Sequence, residues 1–174
     1  AEQYQITGHR GAASYGLQKL MWVRDNQPDI YQNTHKALNA KDYILYKLTG
    51  VFMTEPTDAS SFGCMDLRTN RWSDKIVQAS GVDERKLPDI MPSTHVAGYV
   101  TREAAQATGL KADTPVVLGG GDGVCANVGA GSVKPGKTYC SLGSSSWVAT
   151  TSEQPVLDEH MRTMCWPHIV PGFY

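Results

Sequence analysis

The apolar positions of this chain change their spacing once. Up to about residue 131 they recur mainly at helical intervals, and from Lys137 they alternate with polar residues. The polar opening, residues 1–15, predicts a loop. Leu17, Leu20, Met21 and Val23, with Trp22, then line one helical face opposite Lys19, Arg24 and Asp25. Pro28 ends that helix, because the residue before a proline is pushed out of the α region. Ala37 and Leu38 predict a short buried strand. A second helix starts at Asn39 as N-cap, carries Ile44, Leu45 and Leu48, and stops at Gly50.

Residues 54–62 are small and polar, a loop or short helix bearing Asp58, Ser60 and Ser61. Residues 65–72 predict a turn-flanked extended segment, 73–79 a helix closed by Gly81, and 87–92 a connection. Tyr99 and Val100 predict a strand, and Thr101 caps a helix that Gly109 stops. Val116 to Leu118 reads as a buried strand leading into Gly119, Gly120 and Gly121. After a linker at 131–136, residues 137–142 and 145–150 predict a hairpin around Gly143 and Ser144. Met164, Trp166, Ile169 and Val170 suggest further short strands.

Composition narrows the class. The 174 residues are 41% hydrophobic and 19% charged, which is ordinary for a globular protein. The net charge of -1 provides no attraction to nucleic acid or an anionic membrane. No apolar run approaches the roughly 20 residues of a membrane span, and the opening residues lack a signal-peptide pattern. The 4 cysteines, Cys64, Cys125, Cys140 and Cys165, are scattered. They predict reduced, mostly buried thiols and a cytoplasmic setting, without a disulfide framework or zinc site. The 5 histidines and 4 tryptophans show no ligand or platform spacing.

Two constellations carry candidate chemistry. In the first, Asp122 follows three glycines at the end of a strand, where a carboxylate can project into a cleft. The alternative is that Asp122 only caps the helix that follows. The second is the turn at Gly143, Ser144 and Ser145, whose N–H and O–H groups suit a phosphate, or else form an ordinary β-turn. Gly121 to Ala126 also fits G-x-G-x-x-A. A dinucleotide site would need a parallel unit and a well-placed acid, and the nearest, Glu153, follows a hairpin.

Several segments in order resemble the FGGY family of carbohydrate kinases. Lys19-Leu-Met-Trp-Val-Arg-Asp-Asn26 is similar to the family's first signature helix, with Gly16 where Pro, Ser or Thr is usual. Lys41-Asp-Tyr-Ile-Leu-Tyr-Lys-Leu-Thr-Gly50 resembles its D-[YW]-[LI]-x-x-x-L-T-G helix. Glu55-Pro-Thr-Asp-Ala-Ser60 resembles its T-D-x-x-[DN]-A-S segment, with Glu55 in place of the usual aspartate. Leu118-Gly-Gly-Gly-Asp-Gly123 is similar to its G-G-x-D motif, and Ser141-Leu-Gly-Ser-Ser-Ser146 to its S-L-G-T-S hairpin. Within the family the pattern is most similar to xylulokinase-like pentulose kinases.

The resemblance implies an α/β, actin-like (ribonuclease-H-like) ATPase fold. Residues 1–131 would be the later part of the first domain and 132–174 the beginning of the second. It implies ATP-dependent phosphorylation of a sugar hydroxyl, a pentulose such as xylulose. Asp122 would be the catalytic base, flanked by Gly121 and Gly123 at the substrate, with Tyr15 as a sugar contact. Gly143, Ser144 and Ser145 would hold ATP phosphate, and Mg2+ would bridge phosphate oxygens without a dedicated cage in the chain. The family's first phosphate hairpin, adenosine motif and most sugar loops fall outside the chain, so no kinase activity is expected of the chain alone. Strands 137–150 lack covering helices, which predicts pairing between copies, a homodimer. The rival is an actin-like nucleotide-binding scaffold or chaperone module, since fold alone does not give function.

Overall fold

The computed structural model describes residues 1–174 and contains eight short helices and eight short strands. The helices are α1 (Glu2–Thr7), α2 (Gly16–Asn26), α3 (Pro28–Asn33), α4 (Ala40–Thr49), α5 (Pro56–Phe62), α6 (Asp74–Ser80), α7 (Arg102–Thr108) and α8 (Asp122–Gly129). The strands form four separate pairs. β1 (Met53–Thr54) runs parallel to β4 (Asp89–Ile90). The other three pairs are antiparallel: β2 (Met65–Asp66) with β3 (Arg71–Trp72), β5 (Val96–Tyr99) with β6 (Pro115–Val117), and β7 (Thr138–Leu142) with β8 (Ser146–Thr150).

The core sits where α2, α5 and α6 meet. Leu17, Leu20, Phe62, Cys64, Val77, Val82 and Leu87 form one buried cluster, with Trp72 and Met21 packed against it. The helical spacing of Leu17 and Leu20 thus buries the face it predicts. Trp22, assigned to the same face, is 56% exposed, and in α4 Leu45 is buried whereas Ile44 is 58% exposed. Helix ends follow local chemistry: Ser73 and Thr101 cap α6 and α7 through their hydroxyls. Asn39 occupies the N-cap position of α4 but makes no cap bond, and its side-chain amide donates to the Asp58 carbonyl instead.

Several expectations are corrected. Residues 1–15 are not all loop, because α1 forms and buries Tyr4 and Thr7. Its partners are distant: Tyr4 Oη donates to the Thr163 carbonyl and accepts from the Asp158 amide. Ala37 and Leu38 form no strand, and neither do Met164, Trp166, Ile169 or Val170. The segment around those four residues instead wraps back, with the Cys165 amide bonded to the Gly8 carbonyl and the Trp166 ring 4.0 Å from that of His9. The connection at 87–92 contains β4. β6 is an outer strand with Pro115 and Val117 exposed, and only Leu118, just beyond it, is buried. Cys125 and Cys140 are exposed free thiols, while Cys64 and Cys165 are buried. No helix is long and apolar enough to cross a membrane.

Candidate active site

The stretch from Leu118 to Gly123 leaves the β5–β6 pair and enters α8. Gly121, not Asp122, takes the N-cap position, so Asp122 opens the helix at its first residue. Its carboxylate is exposed, and its Oδ1 accepts from the Gly123 amide at 2.8 Å. β6 is antiparallel to β5, and Glu153 follows the antiparallel β7–β8 hairpin. The parallel unit that the dinucleotide reading requires is therefore absent around this loop.

The loop rests on a buried polar centre. Glu55 caps α5 and is wholly buried, and its carboxylate accepts from Thr57 N (2.9 Å), Thr57 Oγ1 (2.7 Å), Asp58 N (2.9 Å) and Ser93 Oγ (2.8 Å). Thr57 Oγ1 in turn accepts the Gly121 amide at 2.7 Å, and the Ser93 carbonyl accepts the Gly119 amide at 2.9 Å. Lys41 Nζ donates to the Leu118 carbonyl at 3.2 Å. It also lies 2.9 Å from Asp42 Oδ1, 3.4 Å from Asp58 Oδ2 and 3.8 Å from Glu55 Oε1.

One ammonium thus serves three carboxylates. Burial pushes Asp42 and Asp58 upward, and Lys41 pulls both back. The Thr54 hydroxyl also favours the Asp42 anion, although neither its oxygen nor Asp42 Oδ2 closes a hydrogen bond of normal geometry. For Lys41, burial acts to lower the ammonium's pKa, but the attraction of Asp42, Asp58 and Glu55 prevails and raises it.

Tyr15 stands apart from this loop. A Cβ on Gly63 would lie 3.3 Å from Tyr15 Cβ, whereas one on Gly121 would lie 3.4 Å from Thr57 Oγ1. The two residues therefore meet opposite ends of α5, separated by about 9 Å at the helical rise. Tyr15 lines a cleft of about 520 Å³ with Lys19, Asn39, Ser61 and Phe62. Its hydroxyl bonds His9 Nδ1 at 3.3 Å, and His9 Nε2 bonds Ser60 Oγ at 2.9 Å. Burial lowers His9 to about 4.

The turn of the β7–β8 hairpin is exposed. The amides of Gly143, Ser144 and Ser145 donate to no other backbone group. No hydrogen bond joins this turn to Asp122 or Tyr15. The base of the hairpin is anchored to α8, because Asn127 Nδ2 donates to the buried Thr151 Oγ1 at 3.3 Å, and Thr151 Oγ1 donates to the Ser132 carbonyl at 2.7 Å. The helix that starts with Asp122 thus ends where the hairpin begins. No group of three or more His, Cys, Asp or Glu side chains is arranged to hold a metal ion.

Lys41, Glu55 and Thr57 lie in segments that resemble family motifs but carry no assigned chemistry in the sequence, and Ser93 falls just beyond the connection at 87–92. The available signal was Glu55-Pro56, an acid directly before a proline at a helix start. Nothing in the sequence marks Ser93, which reaches Glu55 only through the β1–β4 pairing.

Comparison with known proteins completes the picture. Residues 1–129 match the family described as the FGGY family of carbohydrate kinases, N-terminal domain. The chain is 34% identical over 172 residues to the autoinducer-2 kinase of Yersinia enterocolitica serotype O:8, covering 98% of this chain and 32% of that protein. It thus spans about a third of the length of the curated relatives it matches. Among solved structures it superposes on a xylulose kinase from Rhodospirillum rubrum with a TM-score of 0.91, at 26% identity, over 99% of this chain and 35% of that one. A xyloylose kinase from Brucella ovis gives 0.89 at 28% identity, over 99% and 36% of the two chains.

Proposed function

The chain belongs to the FGGY family of carbohydrate kinases and has the actin-like α/β fold of its solved relatives; from that premise we propose that the complete polypeptide transfers the γ-phosphoryl group of ATP to a hydroxyl of a small sugar. The observation that carries the reading is the exposed Asp122 carboxylate on a Gly-rich loop whose backbone is fastened from below. In the reaction the Asp122 carboxylate takes the proton of the acceptor hydroxyl as the new O–P bond forms. The bond from the bridging oxygen to the γ-phosphorus breaks, and ADP leaves. Gly121 and Gly123 leave room for substrate beside that carboxylate. Gly143, Ser144 and Ser145 hold phosphate through amides with no backbone partner. Tyr15, on the cleft at the far end of α5, contacts the remote part of the sugar. A divalent ion accompanying the nucleotide would supply screening of its phosphate charge, and no residue of this chain is assigned to hold it.

Residues 1–131 are the later part of the family's first domain, and 132–174 begin its second. The family match ending at residue 129 and the change of period beyond it support this division. The acceptor is a pentulose such as xylulose, supported by likeness to two xylulose-type kinases. A second acceptor is favoured by a separate observation, the 34% identity to autoinducer-2 kinase. The polypeptide acts in the cytoplasm, in keeping with its free thiols.

The test is ADP production by the complete polypeptide with MgATP and a panel of acceptors including xylulose and autoinducer-2. Acceptor-dependent turnover is expected, and Asp122→Asn should lower kcat by roughly 10²–10⁴-fold while ATP binding persists. Nucleotide release that responds to a protein partner but to no sugar would favour the scaffold reading instead.

A further inference from the structure

Three consecutive glycines make Leu118–Gly121 a segment with almost no side chains to position it. Whatever orients Asp122 must therefore act on the backbone. The His95 carbonyl holds the Leu118 amide and the Cys125 amide holds the Gly121 carbonyl, and three further backbone groups of this segment are held by residues that meet Glu55. Thr57 Oγ1 accepts the Gly121 amide and donates to Glu55 Oε1. The Ser93 carbonyl accepts the Gly119 amide while its hydroxyl donates to Glu55 Oε2. Lys41 Nζ holds the Leu118 carbonyl and lies 3.8 Å from Glu55 Oε1. On the other side Ile169 closes over the loop, where a Cβ on Gly120 would meet Ile169 Cδ1 at 3.0 Å.

We propose that Glu55, Thr57, Ser93 and Lys41 are positioning residues, which hold the loop so that the Asp122 carboxylate points at the acceptor hydroxyl. The inference rests on the kinase reading above. Hydrogen-bond polarity gives it direction. A threonine hydroxyl has one proton, and Thr57 directs it to Glu55 at 2.7 Å, so a lone pair faces the Gly121 amide. Four donors surround the Glu55 carboxylate, which keeps it an acceptor on every side. Loss of the Thr57 oxygen leaves the Gly121 amide without its partner and frees the glycine backbone one residue before Asp122. Misplacement of a reacting group by about 1 Å can cost on the order of 10²-fold in rate.

The experiment is a double-mutant cycle in the complete polypeptide, with Thr57→Val, Asp122→Asn and their combination assayed for kcat and for the KM of ATP and acceptor. Thr57→Val keeps the side-chain shape and should lower kcat about 10- to 100-fold with the KM for ATP unchanged. Thr57→Ser, which restores the oxygen, should recover most of the loss. In the Asp122→Asn background Thr57→Val should add nothing, because it acts through that carboxylate. Ser93→Ala removes a second arm, should lower kcat in the same sense, and serves if Thr57→Val does not fold. If Asp122→Asn is inactive but folded Thr57→Val or Ser93→Ala turns over like wild type, the positioning inference is overturned and the base assignment stands. If Asp122→Asn itself turns over normally, the base assignment fails and the inference falls with it. Equal fractional losses from Thr57→Val in both backgrounds would also overturn it, by showing an effect that does not pass through Asp122.

Discussion

The loop before Asp122 and the turn of the β7–β8 hairpin are both short, Gly-containing and entered from a strand, yet they are built in opposite ways. The first has its backbone groups taken by Lys41, Thr57 and Ser93 over a carboxylate with no solvent exposure. The second offers the amides of Gly143, Ser144 and Ser145 with no backbone partner, beside Leu142 at 83% and Val148 at 70% exposure. A group that must accept a proton from one defined direction gains from a fastened loop. A group that wraps a phosphate gains from unspent donors. The difference also divides stability, since buried contacts order the first region and a two-stranded ribbon alone is marginal.

The largest effect expected concerns His9, a buried residue beside α5 that contacts Trp166 and Ser60. Burial depresses it from 6.5 to about 4. An unfolded histidine takes a proton below about 6.5, while the folded one refuses it until about 4. The stability linked to His9 is thus fully present above pH 6.5 and is lost as pH falls to about 4. The loss is on the order of 3 kcal/mol. Asp42 and Asp58, both pushed up by burial, act in the opposite sense. The measurement is therefore the difference in urea-unfolding free energy between wild type and His9→Gln from pH 7 to 4. Parallel curves for the two proteins would remove His9 from the acid response.

A smaller effect tests the exposed turn. Ser144→Ala in the complete polypeptide should raise the KM for ATP or lower kcat, by an amount worth about 1.5–3 kcal/mol for a hydrogen bond to a charged group. Ser144→Thr should be mild. Steady-state kinetics that do not distinguish Ser144→Ala from wild type would reduce the hairpin to an ordinary turn. The smallest effect is association through the same ribbon. β7 and β8 each have one unpaired edge, so this chain should shift from monomer to dimer in size-exclusion chromatography as its concentration rises. Val148→Lys should suppress the shift, and dimers that persist in that variant would place the contact elsewhere.

Much of the architecture was legible because it is set locally. The hydroxyls of Ser73 and Thr101 start helices, and the spacing of Leu17 and Leu20 buries one helical face. Gly50, Gly81 and Gly109 end helices with φ of 78°, 67° and 77°, as their positions after apolar repeats predict. The alternation beyond Lys137 yields the β7–β8 hairpin with the anticipated turn. The candidate base was legible too, because a carboxylate after three glycines is unusual in itself and the ordered motifs carried a family resemblance.

Other features had no local cause to read. α1 is polar and short, and its order comes from Tyr4 meeting Asp158 and Thr163 across most of the chain. The apolar residues between Met164 and Val170 pair with no strand, because they pack on Gly8 and His9 just after α1 and on the Gly-rich loop instead. By itself the sequence determined the ends of α2, α4, α6 and α7 and the alternation of the second part, and it singled out Asp122 and the Gly143 turn as candidates for chemistry. Only the tertiary structure decided that Lys41, Glu55, Thr57 and Ser93 converge beneath the loop. A buried carboxylate must collect hydrogen bonds from whatever surrounds it, and the donors reaching Glu55 come from both α5 and the segment after β4. Their meeting depends on the packing of distant segments, which no local pattern encodes.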